Sequence, residues 1–87
     1  MSAIISDGLH NCPHLKIVPV ISSFDCSGHI VPLYVRICGQ ALKIHNAYQF
    51  ESTYNILRFR CEVIDHGRIK PIKLTYHVSY HKWSMPV

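Results

Sequence analysis

The feature that most constrains the fold is a pair of alternating runs in the C-terminal part of this 87-residue chain. In residues 57–63 every second residue is apolar and the residues between them are charged. Residues 72–78 repeat the alternation with Ile, Leu, Tyr and Val. A period of two places successive side chains on opposite faces of a strand, and it does not fit a helix. We therefore predict two antiparallel strands joined by a tight turn at His66-Gly67.

This turn also predicts how the two strands align. It places the apolar residues of both runs on one face and the polar residues on the other, which is the condition for a well-defined register. The expected cross-strand pairs are Arg60 with Lys73, Arg58 with Thr75, and Glu62 with Pro71.

A first hairpin is predicted upstream of this pair. Residues 17–23 and 29–37 flank an Asp-Cys-Ser-Gly segment at positions 25–28, and Asp followed by Gly favours a turn. The residues of its second strand that are expected to face the core are Leu33, Val35 and Ile37.

A second hairpin is expected around Gly39-Gln40, because a two-residue turn with Gly first is typical of type II′. Its returning strand is expected to continue through Phe50, and a last short strand is expected at residues 82–85. The pairs that this turn predicts are Cys38 with Ala41, Ile37 with Leu42, and Val35 with Ile44.

Together these elements predict an all-β, mainly antiparallel fold. It is a small meander of five or six strands that closes into an SH3-like or other open barrel, since an isolated sheet would leave one face bare. Residues 1–16 lack periodicity and are expected to form an irregular N-terminal arm. Residues 17–87 are expected to form a single small β domain, because the chain is too short for two cores.

Composition indicates a cytoplasmic protein that does not enter the membrane. No run approaches the roughly 20 apolar residues that a membrane-spanning helix needs. The N-terminus has no basic segment followed by an apolar one, so we expect no signal peptide and a cytoplasmic location. The four cysteines are then expected to remain reduced.

Charge is distributed unevenly along the chain. The formal net charge is +4 with histidine neutral, and residues 54–87 carry the whole excess. A basic sheet face is a typical footprint for phosphate groups, so we predict that the domain binds an anionic macromolecule, either nucleic acid or a nucleoprotein. The alternative is a solvated face that keeps the protein soluble. The residues predicted to contact phosphates are Arg58, Arg60, Lys70, Lys73 and His77.

Aromatic residues offer a second kind of contact. Tyr34 and Tyr80 are candidates for stacking on unpaired bases. Trp83 could anchor a partner or, alternatively, plug the open end of the barrel. The rival function is therefore a protein-interaction module, such as an adaptor, a subunit or a small inhibitor of the kind that phages and mobile elements encode. It would dock through an edge strand or through the aromatic C-terminal tail.

A zinc site is a further hypothesis for the N-terminal part. Cys12, His14, Cys26 and His29 offer two thiols and two imidazoles, which are the ligands of tetrahedral zinc. The spacing differs from the usual first pair of two cysteines two to four residues apart, so the alternative is that these are ordinary loop residues. No other cofactor is expected.

Catalysis has little support in the sequence. The chain has five carboxylates with no suggestive pair, and its four glycines are too far apart for a phosphate-binding loop. A chain of this length also leaves little room for a deep substrate pocket. We expect a protein that is not an enzyme.

Overall fold

The computed structural model describes residues 14–87 and contains only strands and turns. Seven strands follow one another in the chain and all pair antiparallel. They are β1 (Leu15–Val18), β2 (Val20–Phe24), β3 (Ile30–Ile37), β4 (Gln40–Ser52), β5 (Ile56–Asp65), β6 (Arg68–His77) and β7 (Lys82–Pro86). The described residues include no helix that could cross a membrane.

The sheet order explains how the strands enclose a core. Strands β2 to β7 are neighbours in chain order, as expected of a meander, and β1 pairs with β7 at the far end. Because β1 and β2 are separated by Pro19 alone, one short segment joins both ends of the sheet. The result is a curled, small open β barrel, which confirms the predicted fold class.

The predicted first strand is in fact two strands. Pro19 has no backbone N–H, so the ladder is interrupted there, while its carbonyl accepts a hydrogen bond from the Arg36 N–H at 3.0 Å. The segment before Pro19 pairs with β7 and the segment after it pairs with β3. This split accounts for a seventh strand. The last two residues of the predicted arm belong to β1, and residues 1–13 lie outside the described part of the chain.

The predicted β5–β6 hairpin is confirmed pair by pair. Arg60 lies opposite Lys73, Arg58 opposite Thr75 and Glu62 opposite Pro71. The turn residues His66 and Gly67 both have positive φ, at 52° and 76°. Two successive residues with positive φ are the mark of a type I′ turn, whose twist matches that of the strands it joins.

The predicted register of the β3–β4 hairpin is wrong. The turn lies at Cys38 and Gly39, which have φ of 52° and 77°, and not at Gly39-Gln40. Val35 consequently pairs with Leu42 and not with Ile44. The apolar residues still face the core, because this displacement moves each partner by two residues and so keeps the face unchanged.

Leu33 is a second correction, because it is exposed and does not face the core. Ile21 pairs with Tyr34 and Ser22 with Pro32, which leaves Leu33 as an unpaired bulge residue. A bulge reverses the alternation beyond it, so Pro32 is buried where Leu33 was expected.

The core lies on one face of the curled sheet. Strands from both ends and from the middle of the sheet contribute to it. Phe59 and Trp83 pack against each other within it, with ring centroids 5.5 Å apart. Besides Pro32, the buried apolar residues are Val18, Ile30, Val35, Leu42, Ile44, Phe59, Cys61, Val63, Leu74 and Trp83.

Candidate functional site

A groove of about 680 Å³ crosses the outer face of β4, β5 and β6, the face opposite to the core. We call it the outer groove. Two rows of side chains form its walls, and the backbone of Ala47, Cys61 and Ile72, whose side chains face the core, runs between them. One row consists of Tyr48, Arg60 and Lys73, and the other consists of Asn46, Glu62 and Pro71.

The first row carries two cations side by side. Arg60 and Lys73 are directly opposite each other on neighbouring strands, and both are exposed. Among residues 14–87 neither forms an ion pair within 4.0 Å. Like charges in this position destabilise a sheet, so the row has unbalanced positive charge to offer to an anion.

A bulge in β4 holds the Arg60 side chain in place. The β4–β5 register shifts between Ile44 and Asn46, which places residues 46, 48 and 50 on the outer face, and it shifts again between Gln49 and Glu51, which leaves Phe50 without a partner in the ladder. The Arg60 guanidinium carbon lies 4.9 Å from the centroid of the Phe50 ring. A cation over an aromatic face is attracted to it, which limits the freedom of the Arg60 side chain.

The second row is polar and has one negative charge. The Asn46 side-chain amide donates a hydrogen bond to Glu62 Oε1 at 3.2 Å. Pro71 adds an apolar surface beside them. The outer groove therefore has a basic wall with an aromatic ring and a weakly acidic wall.

Arg58 lies one row farther along the same outer face. Its Nε atom is 3.3 Å from Glu51 Oε1, and both side chains are close to half exposed. Part of its charge is already neutralised, so Arg58 adds less to the positive potential than Arg60 or Lys73.

Lys70 is on the opposite face from the other predicted phosphate contacts. It pairs with the core residue Val63, and its ammonium group lies 2.9 Å from Asp65 Oδ2. This hydrogen bond from Lys70 lowers the pKa of the Asp65 carboxyl, and the nearby His66 lowers it further. The structure does not bring Lys70 together with Arg60 and Lys73.

The expected outward position of His77 is wrong, because its side chain is only 7% exposed. The residues after β6 form a turn, and the Val78 N–H donates a hydrogen bond at 2.8 Å to the carbonyl of Asn55 in the turn between β4 and β5. His77 Nε2 lies 2.7 Å from Ser84 Oγ. Burial lowers the pKa of His77, and the Arg58 charge lowers it further.

The three aromatic residues singled out from the sequence do not meet at the outer groove. Tyr34 lies on β3 opposite Ile21, and Tyr80 lines a separate cleft with His77. Trp83 is 7% exposed and packs against Phe59 and Tyr76, so it has no exposed ring with which to anchor a partner. Its alternative role, filling the barrel, agrees with this position.

Tyr48 is the aromatic residue that borders the outer groove, and it is 67% exposed. Sequence reasoning selected Tyr34 and Tyr80 as stacking candidates and missed Tyr48. The deciding signal is its pairing with Arg60, which depends on two bulges in β4 that leave no mark in composition.

The residues proposed for zinc are only partly described. Cys12 lies outside residues 14–87, and the described part of the chain contains no cluster of three metal-binding side chains. Cys26 is an exposed free thiol, and His29 Nδ1 lies 3.0 Å from Asp25 Oδ2. Backbone and side-chain hydrogen bonds from His29 lower the pKa of Asp25. The zinc hypothesis stays a prediction.

Two groups with catalytic potential, Ser84 and Cys61, are buried. Ser84 has no exposed surface, so its contact with His77 presents no nucleophile to a substrate. Burial raises the pKa of the Cys61 thiol to about 11, which keeps it protonated at neutral pH. The expectation that the protein is not an enzyme stays a prediction.

Comparison with known protein families, with curated proteins and with solved structures finds no match to this chain.

Proposed function

We propose that the outer groove binds an anionic macromolecule, and specifically single-stranded nucleic acid. The observation that supports this most strongly is the exposed pair Arg60 and Lys73, which forms no ion pair within 4.0 Å among the described residues, beside the exposed ring of Tyr48. Two cations suit a phosphate backbone, and an adjacent ring suits an unpaired base.

The choice of nucleic acid follows from the combination of these groups. Phosphate between Arg60 and Lys73 would relieve the repulsion of a like-charged cross-strand pair. Stacking on Tyr48 requires a base whose face is accessible, which a duplex does not provide along its length. The polar wall formed by Asn46 and Glu62 offers hydrogen-bonding groups to the edge of such a base.

The experiment is fluorescence anisotropy of labelled single-stranded DNA, RNA and duplex DNA, titrated with the protein at several salt concentrations. We expect single strands to bind more tightly than the duplex. Affinity should fall steeply as salt rises, because each contacted phosphate releases counterions. Absence of binding to all three at low salt would refute the proposal.

Two lysines on β6 provide a matched pair of variants. Lys73→Gln and Lys70→Gln each remove one positive charge, but only Lys73 borders the outer groove. Lys73→Gln should reduce the dependence of log affinity on log salt by about 0.7, the value for one phosphate contact on a single strand. Lys70→Gln should leave it unchanged. If both variants reduced this salt dependence equally, net charge alone would attract the ligand.

Two tyrosines provide a second matched pair of variants. Tyr48→Ala should weaken single-strand binding roughly fivefold or more, because it removes a stacking surface. Tyr54 is 93% exposed in the turn between β4 and β5, outside the groove, so Tyr54→Ala should have no effect. A Tyr48→Ala variant with unchanged affinity would exclude stacking at this position.

A second candidate function is the protein-interaction module, and the position of β2 favours it. Strand β2 ends the sheet order and carries exposed apolar side chains. Docking at such an edge relies on backbone hydrogen bonds and apolar contacts, so it should depend little on salt. The version that uses Trp83 as an exposed anchor has no support from its buried position.

A further inference from the structure

Strand β2 has one unpaired edge among the described residues. It pairs with β3 on one side, and no other strand within residues 14–87 pairs with its other side. An edge of this kind presents backbone N–H and C=O groups that can extend the sheet into another chain. Monomeric proteins usually protect such edges with Lys or Pro, and β2 contains neither.

Exposed apolar side chains are concentrated on the same hairpin. Of the ten large apolar or aromatic residues that are exposed in the described chain, five lie on β2 and β3. They lie on both faces of the hairpin and are Ile21, Phe24, Val31, Leu33 and Tyr34.

The hairpin is also the least charged part of a basic protein. Between Lys16 and Arg36 the sequence contains one formally charged residue, Asp25, and its Oδ2 atom is 3.0 Å from His29 Nδ1. Two copies of a chain with a net charge of +4 repel each other in most orientations. Contact through this hairpin avoids that repulsion because it brings no lysine or arginine of the two edges together.

We propose that β2 pairs with β2 of a second copy of this chain. An antiparallel pair about a two-fold axis is the simplest arrangement, since each copy then contributes the same uncharged edge. Ile21 and Phe24, both 64% exposed, lie on opposite faces of β2, and the partner strand covers part of each side chain on its own face. A neutral apolar edge complements itself, whereas an acidic partner would find no countercharge here and would bind elsewhere on the molecule.

The experiment is sedimentation equilibrium of the full chain, without nucleic acid, from low micromolar to millimolar concentration. We expect a reversible monomer–dimer equilibrium. Ile21→Lys should raise the dimer dissociation constant roughly tenfold or more, because it replaces apolar surface at the interface with one positive charge in each copy. Ile69→Lys is the matched control, since Ile69 is 56% exposed on another hairpin and the variant gains the same charge.

Several outcomes overturn the proposal. A monomeric mass at every concentration would do so, as would a dimer that Ile21→Lys does not weaken or that Ile69→Lys weakens equally. Circular dichroism of each variant checks that it is folded, and Phe24→Lys provides a second test of the same edge. Hydrogen exchange should show slower exchange of β2 amides as concentration rises. These measurements are independent of nucleic-acid binding.

Discussion

Lys70 and Lys73 lie three residues apart on one strand, and they therefore point to opposite faces of the sheet. The placement of Lys70 and Lys73 on opposite faces could have been predicted from the sequence once the strand was recognised. The ion pair between Lys70 and Asp65 could not, because it depends on how the two sides of the hairpin twist near the turn. At this scale alternation predicts a side chain's direction but not its partners.

His77 shows the opposite case, because alternation predicts an exposed side chain and the structure buries it. Its neighbours in the sheet include two cationic residues, Arg58 and Lys82, and its ring contacts the fully buried Ser84. Its contact with Ser84 joins β6 to β7, and the pattern of a single strand carries no record of such a contact.

The buried His77 should make stability depend on pH. Its pKa is lowered in the folded state, so the unfolded chain binds more protons between the folded pKa and the unfolded value near 6.5. This contribution to stability is complete above about pH 6.5 and is lost as pH falls through the folded pKa. We expect the wild-type free energy of unfolding to fall on acidification by more than that of His77→Gln.

Urea denaturation at a series of pH values from neutral to mildly acidic measures this difference. The range should stop above the region in which Asp25 and Asp65 titrate, because their pKa values are also lowered. If the difference in free energy of unfolding between wild type and His77→Gln stayed constant across the pH range, His77 would not become harder to protonate on folding.

At the scale of elements, turns and bulges determine which side chains meet. The β3–β4 and β5–β6 hairpins both use a type I′ turn with Gly in second position, yet only the second was located correctly. In both turns a non-glycine residue is followed by Gly, as Cys38-Gly39 and His66-Gly67 show. The rule that located the β5–β6 turn would therefore have located the β3–β4 turn as well. No turn residue or other sequence signal predicts the bulges of β4, although they bring Phe50 beneath Arg60.

Gly39 should tolerate side chains poorly because of its backbone and not for lack of space. Its φ is 77°, and a Cβ atom placed there would meet no atom within 4 Å. Gly39→Val should lower the free energy of unfolding by about 1–3 kcal/mol, the cost of a non-glycine residue in this conformation. Gln40→Val introduces the same side chain into the adjoining strand and should be close to neutral. Chemical denaturation compares the two, and equal effects would argue against the type I′ turn.

At the scale of the whole molecule, closure depends on the two ends of the described chain. Strand β1 pairs with β7, and Val18 lies opposite Trp83 where they meet. Trp83 also contacts Phe59 and Tyr76 of the central strands. A residue near the C-terminus thus connects the last strand to the middle of the core.

Removing the Trp83 ring should therefore affect the entire fold. Trp83→Ala should destabilise the protein by about 3–5 kcal/mol, as expected for an aromatic residue lost from a core. That is a large part of the roughly 5–10 kcal/mol that stabilises a domain of this size. Thermal unfolding measures the effect, with the exposed Tyr54→Ala expected to change stability by less than about 0.5 kcal/mol. Similar melting temperatures for both variants would contradict a core role for Trp83.

The sequence by itself determined the all-β class, the meander and the full register of the β5–β6 hairpin, including Arg60 opposite Lys73. These follow from alternation and turn residues, which are local and act within one hairpin. Only the tertiary structure decided that Pro19 divides a strand between the two ends of the sheet, that His77 and Trp83 are buried, and that Tyr48 borders the outer groove. Each depends on bulges, curvature or pairing between distant segments, and no short window of sequence contains that information.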